Sequence, residues 1–265
     1  ASGAEAQLLG QLRRELRAEL EAAPSFPELV GDRRLLRTLR ACGHAVPEAA
    51  GAFREHLQKR REFGLDAIRD HILQAWGAQQ ASLPLHELPG VECVWRYVPQ
   101  VTPFAFTPKG DPISLHLWGQ WRTADFVREV DGWKDVFKLH ACYQLEARAV
   151  LLDCMSQEQS RLVHIVNVHD LKDWGMVSHM DSTFLAFQRE EMLPLAATYH
   201  NLSSHVFFVN TSRWFHVPYN LFLPLLPRNT QEKISLHGEA FADSPRLREE
   251  LGPRALGALR RPGGA

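Results

Sequence analysis

The sequence predicts an α/β protein, with an N-terminal helical module over residues 1–90 and then a mixed or parallel sheet flanked by helices over residues 91–265. Three observations carry this. Apolar residues recur at helical spacing through the first ninety positions. Short apolar runs then alternate with longer helical patterns, the arrangement of an α/β layer. One of those runs, Leu162–Val168, is apolar on both faces, as in a strand covered on both sides.

In the first module, Leu8, Leu9, Leu12, Leu16 and Leu20 form one stripe on a Glu/Arg-rich background, ended by Pro24 and Pro27. Asp32 suits an N-cap for a helix carrying Leu35, Leu36 and Leu39, which Gly43 closes. Pro47 suits the first turn of a third helix with Ala50, Phe53 and Leu57 on one side. A fourth helix runs through Ile68, Ile72 and Leu73 to about Trp76.

From residue 91 the spacing predicts strands at Val91–Val98 and Ile113–Trp118, the second introduced by the turn Lys109-Gly110-Asp111-Pro112. A long helix follows from about Trp133 to Met155, then the strand Leu162–Val168. Met176, Met180, Phe184 and Phe187 open another helix that ends near Tyr199. His205–Val209 and Ile234–Leu236 complete the strands, and between them Trp214–Leu226 reads as a helix apolar on every face, hence buried.

Composition narrows the function. Nearly half the residues are apolar and the net charge is −1, so the chain lacks the concentrated positive field that nucleic-acid binding requires. The arginine pairs at 13–14, 33–34, 60–61 and 260–261 have acids nearby or sit at a terminus, and read as solvated surface. Cys42, Cys93, Cys142 and Cys154 form no CxxC pair, which points to a reduced, cytoplasmic setting. No basic segment followed by an apolar run marks a signal peptide, and the missing initiating Met leaves room for a trimmed leader and an organellar destination. Val206–Pro227 is the most membrane-like stretch, but Arg213 and two prolines interrupt it.

Catalytic and metal motifs are absent from the sequence. It has no GxSxG elbow, no phosphate-cradling glycine loop and no HExxH. His164 and His169 are five apart on one expected strand and point to opposite faces, so they cannot share an ion. His200 and His205 lack a partner at ligand spacing. No catalytic residue, metal site or cofactor is expected.

Two stretches resemble the CRAL-TRIO family, in its phosphatidylinositol-transfer branch. The first is DRRLLRTLRACGHAVPEAAGAFREHLQKRREFG, from Asp32 to Gly64. The second spans Leu162 to Gly238 and contains LVHIVNVHDLKDW, YHNLSSHVFFVNT and NLFLPLLPRNTQEKISLHG. Their order and spacing match the family's helical module, strand, Asp-Leu-Lys turn, helix, strand, gate helix and final strand. The resemblance implies a sheet-floored hydrophobic pocket closed by a mobile helix. The implied partners are one lipid or lipophilic molecule and, transiently, a membrane surface, for a monomeric, cytoplasmic or peripherally membrane-associated protein that is not an enzyme.

The expected lipid-contact residues follow the same scheme. Ile165, Asn167 and His169 share one strand face, where they serve as pocket wall or as plain core. Val206 and Phe208 are expected from the next strand, and Met180 and Phe184 from the intervening helix. Phe215, Tyr219 and Phe222 fall at i, i+4 and i+7 and match the gate's aromatic positions. Thr230 and Lys233 match the family's headgroup threonine and lysine. The rest of that site departs from the pattern: its acid is Asn201, its basic pair is Cys42-Gly43, and a gating-region glycine is Ser204. The phosphatidylcholine determinants correspond to Ile165 and Asn167. The expectation is therefore a carrier of a ligand other than a typical phosphatidylinositol or phosphatidylcholine. Phospholipid transfer through an altered headgroup site, a regulatory interaction module without cargo, and a small-molecule enzyme on the same sheet remain the alternatives.

Overall fold

The computed structural model describes all residues except 1–2, 78–83, 176–178, 216, 218, 221–222, 224–230 and 261–265. It divides into two compact units that do not follow chain order. One comprises Ala1–Pro84, Ala141–Val163 and Glu190–Leu202, and the other Leu85–His140, His164–Arg189 and Ser203–Ala265.

The first unit opens with α1 (Gly3–Glu15), α2 (Arg17–Ala22), α3 (Pro27–Val30), α4 (Asp32–Ala41), α5 (Val46–Phe63) and α6 (Leu65–Trp76). The leucine stripes do what their spacing predicts. Leu12, Leu16, Leu29, Leu35, Leu39, Phe53 and Leu57 form one buried cluster. The cap of α4 is Gly31 and not Asp32, which is the first helical residue and pairs instead with Arg13 at 2.6 Å.

Arg34 and Arg60 depart from the expectation that the arginine pairs are solvated surface, whereas Arg13, Arg14, Arg61 and Arg260 are exposed. Arg34, Arg37 and Arg60 are buried. Arg60 reaches Glu146 Oε1 at 2.8 Å and Asp66 Oδ1 at 2.7 Å, and Tyr199 donates its hydroxyl proton to Glu146. Arg37 donates to the carbonyls of Val163 (2.6 Å) and Asn201 (2.9 Å), and Arg34 to that of Thr198 (2.8 Å). Arg34 and Arg37 tie α4 to backbone carbonyls, Arg60 ties α5 to buried and half-buried carboxylates, and sequence periodicity carries no sign of either role.

The second unit holds α7 (Val91–Tyr97), β1 (Gln100–Phe106), β2 (Pro112–Leu117), α8 (Thr123–Glu129), β3 (Ile165–Asp170), α10 (Ser182–Phe187), β4 (Ser203–Val209), β5 (Ile234–Leu236) and α12 (Pro245–Leu259). Between them in the chain run α9 (Trp133–Glu158) and α11 (Leu193–Ala197), the latter preceded by a π-turn over Gln188–Met192. The strands lie in the order β1-β2-β3-β4-β5, with β1 antiparallel to β2 and the other pairs parallel. The expected strand at Val91–Val98 is helix α7: Val91, Val94 and Val98 are buried at helical spacing, and Gly90, at φ 79°, turns the chain into it. The strand missing from the expectation, β1, contains Pro103, which an edge strand accommodates because one side of its ladder is unused.

Alternation along β2–β4 gives the sheet two unlike faces. Ile113, Leu115, Val166, Val168, Phe207 and Val209 point to one face and are sealed by Phe241, Leu247, Leu251, Ala255 and Leu256, on and just before α12. The other face carries Ser114 and Ile165, which are buried, and His116, Asn167, His169, Val206, Phe208, Ile234 and Leu236, which are only partly buried. No helix among the described residues is long and apolar enough to cross a membrane.

Candidate functional site

The partly covered face is the candidate site, and the register builds it. His116, His169 and Phe208 are successive Cα partners on β2, β3 and β4. Their rings stack, His116 on His169 at 4.6 Å and His169 on Phe208 at 4.7 Å between centroids. One register step along, Asn167 lies beside Val206 and donates to Ser203 Oγ at 2.8 Å. Ile165, the third residue of this β3 face, is buried.

Over the carboxyl ends of the parallel strands sits an aromatic cluster. Trp118 follows β2 and meets Trp121 at 4.7 Å, His169 at 5.4 Å, Phe208 at 5.6 Å and Trp174 at 5.9 Å. Phe215, in the 3-10 turn after β4, touches both Trp174 and Phe208 at 5.5 Å and reaches Tyr219 at 6.2 Å. The turns after β2 and β3 approach so closely that a Cβ on Gly119 would stand 1.7 Å from the carbonyl oxygen of Lys172, so only glycine fits there. Asp170 accepts from the Lys172 N–H (2.9 Å) and from Asn210 Nδ2 (2.7 Å), which makes Asp170-Leu171-Lys172 a structural turn. The carboxyl ends of parallel strands are where open α/β sheets bind their ligands.

Burial pushes the hydroxyl of Tyr219, which neighbours Phe215, above its usual pKa.

The expected residues divide. Asn167, His169, Val206, Phe208, Phe215 and Tyr219 come together on or over this face. Phe184 does not: its ring contacts are Phe126, Trp133 and Phe137, in a separate helical core. Met180 is half-buried just before Asp181, whose carboxylate caps α10 through the N–H groups of Thr183 and Phe184. Lys233 Nζ donates to the carbonyl of Ser203 at 2.8 Å. Phe222, Thr230 and Met176 lie outside the described residues. Trp214–Leu226 is not uniformly buried: Trp214 is 82 % exposed and Val217 62 %. Arg40, a basic residue near the altered headgroup pair, is bound by Glu5 at 2.8 and 3.0 Å. Among the described residues no group of three or more His, Cys, Asp or Glu side chains is placed to hold a metal ion.

Sequence reasoning missed Trp118, Trp121 and Trp174. Their signal was a Trp-x-x-Trp directly after one parallel strand and a tryptophan in the turn after the next.

Comparison with known proteins agrees with this architecture. The family model for the CRAL/TRIO domain matches residues 102–257, more than half of the chain. No curated protein matches it. Among solved structures, "Crystal structure of Sfh5" superposes with a TM-score of 0.60 at 16 % identity, covering 93 % of this chain and 83 % of that one. At that identity the likeness is one of fold.

Proposed function

The chain belongs to the CRAL/TRIO domain family, and from that premise we propose that it carries one lipophilic molecule on the partly covered face of its sheet and exchanges it with membranes. The observation that carries this is the inequality of the two faces. One is closed by apolar side chains from the C-terminal part of the chain, while the other presents Val206, Phe208, Ile234 and Leu236 half-buried beneath an aromatic cluster. A sheet face with that much apolar surface requires a cover, and a lipid supplies one.

Phe215 is the gate contact. It is 5 % exposed and packed on Phe208 and Trp174, while its neighbour Trp214 stands in solvent. Loading requires the segment to lift, and an exposed indole is suited to the membrane interface. A carrier fits better than an enzyme, since Asp170, at the usual catalytic position after a strand, is spent on the turn.

The cargo is not a typical phosphatidylinositol or phosphatidylcholine. The headgroup acid and basic pair are Asn201 and Cys42-Gly43, Lys233 binds a backbone carbonyl, and Arg40 binds Glu5. Each departure from the family's pattern removes a charge-assisted hydrogen bond that a phosphate would want.

Vesicle-to-vesicle transfer of lipids extracted from the expression host tests the reading. Phe215→Asp should abolish transfer with circular dichroism unchanged, and Phe215→Leu should retain it. Undiminished transfer by Phe215→Asp would remove the gate and the carrier reading built on it.

A further inference from the structure

Three indole N–H groups on the candidate site have no hydrogen-bond partner. The Nε1 atoms of Trp118, Trp121 and Trp174 are all buried from solvent and all unsatisfied. They belong to one cluster, since Trp121 and Trp174 both lie within 6 Å of the Trp118 ring, and Trp118 sits edge-on to His169 and Phe208 of the sheet face. Trp95 carries a similar orphan, but its ring contact is His140, not the sheet face.

Folded proteins satisfy nearly all their buried donors, because each one left unmade costs roughly 1–3 kcal/mol. Three in one cluster at the carboxyl ends of the strands point to an absent acceptor. An indole can only donate, so the missing group must accept. Among the described residues no lysine or arginine stacks on any of the three rings, so the cluster offers an anionic headgroup no stacked cation. A hydroxyl would also bring a proton needing an acceptor of its own. A carbonyl oxygen brings two lone pairs and no proton, and so accepts from two of the three indoles.

We propose that the tryptophan cluster is a polar subsite selecting a neutral lipophilic ligand by its carbonyl oxygen, a ketone, aldehyde, quinone or ester, with the apolar body lying along Val206, Phe208, Ile234 and Leu236. This rests on the carrier reading and specifies its cargo. The close approach of Gly119 to Lys172 holds together the two turns that bear the indoles.

The test compares two fluorescent probes of one shape: the naphthyl ketone Laurdan, and its analogue with the ketone replaced by a methylene. Affinities are measured for the wild type and for Trp118→Phe and Trp174→Phe, with thermal melts as the check on folding. The wild type should prefer the ketone by about tenfold, and each substitution should cut that preference about fivefold or more, as loss of one hydrogen bond does. The methylene analogue should lose no more than the packing of the ring. Equal affinity for both probes in the wild type, with water rather than cargo satisfying the indoles, would overturn the proposal and leave the carrier reading intact. Equal weakening of both probes by the substitutions would reduce the cluster to packing. Binding of neither probe by folded protein would overturn the carrier reading as well.

Discussion

His169 and Phe208 occupy adjacent parallel strands as register partners, with ring centroids 4.7 Å apart and planes 18° from parallel. The contact joins the middle of the sheet to the cluster that Phe215 covers, because Phe208 also meets Phe215 at 5.5 Å. If this stack stabilises the face, substitutions at the two positions must be coupled. A double-mutant cycle of His169→Ala and Phe208→Ala, followed by urea unfolding, should return about 0.5–1.5 kcal/mol of interaction energy. Strict additivity would mean that the two rings are neighbours without mutual stabilisation.

The buried Arg60–Glu146 pair makes a prediction of opposite kind. Glu146 is raised in pKa by burial, against the pull of Arg60, so removing the guanidinium leaves an uncompensated carboxyl in the interior. Arg60→Met should cost about 3–5 kcal/mol in urea unfolding, while Arg60→Met combined with Glu146→Leu should recover much of that loss. A double variant as unstable as the single one would contradict it.

Stability should also fall on mild acidification. Burial, helped by Arg34, lowers the His200 pKa to about 4 from an ordinary 6.5. In the unfolded chain the same imidazole protonates near 6.5, so between those values the unfolded state binds the proton and the folded state does not. The contribution is complete above about pH 6.5 and is lost as pH falls toward 4, by about 3 kcal/mol for this residue. His56, held well below its usual value by burial and then by Arg34 and Arg60, acts in the same direction. Melting temperature followed from pH 7.5 to 4.5 should drop less in His200→Gln than in the wild type. Identical profiles would remove His200 from the account.

What could be read from the sequence was the part governed by local period. The leucine stripes of α1, α4 and α5 appear where spacing put them, and β3 and β4 overlap the apolar runs expected as strands, although one face of β3 is only partly covered instead of sealed on both sides. Val91–Val98 failed because apolar residues at 91, 94, 95, 97 and 98 satisfy a strand and a helix alike, and only the burial of one helical face decides between them. β1 failed because Pro103 argues against a strand until the strand is known to be an edge. In the site, β3 and β4 residues were legible because alternation assigns faces. The tryptophan cluster was not, because it forms only when β2 and β3 pair in parallel and bring two distant turns together. The role of Arg34, Arg37 and Arg60 was hidden for a similar reason, their partners lying 86 or more residues away in Glu146, Val163, Thr198 and Asn201.

Membrane docking should be mainly hydrophobic. Net charge is −1, and Trp214 and Val217 are the large apolar side chains exposed beside the buried Phe215. Binding to neutral vesicles should survive salt of about 0.5 M, where screening leaves only a few ångströms of electrostatic reach. Trp214→Asp should weaken it about tenfold or more with no change in melting temperature. Binding that collapses with salt, or that ignores the Trp214 substitution, would place docking elsewhere.

The central claim, that the partly covered sheet face holds one lipophilic molecule, is tested most directly by native mass spectrometry of gently isolated protein. The wild type should carry one extractable lipophilic adduct per chain, and Phe208→Asp, which places a charge on that face, should carry none while remaining folded by circular dichroism. A wild-type protein that emerges bare, and stays bare after incubation with vesicles of host lipids, would contradict the claim.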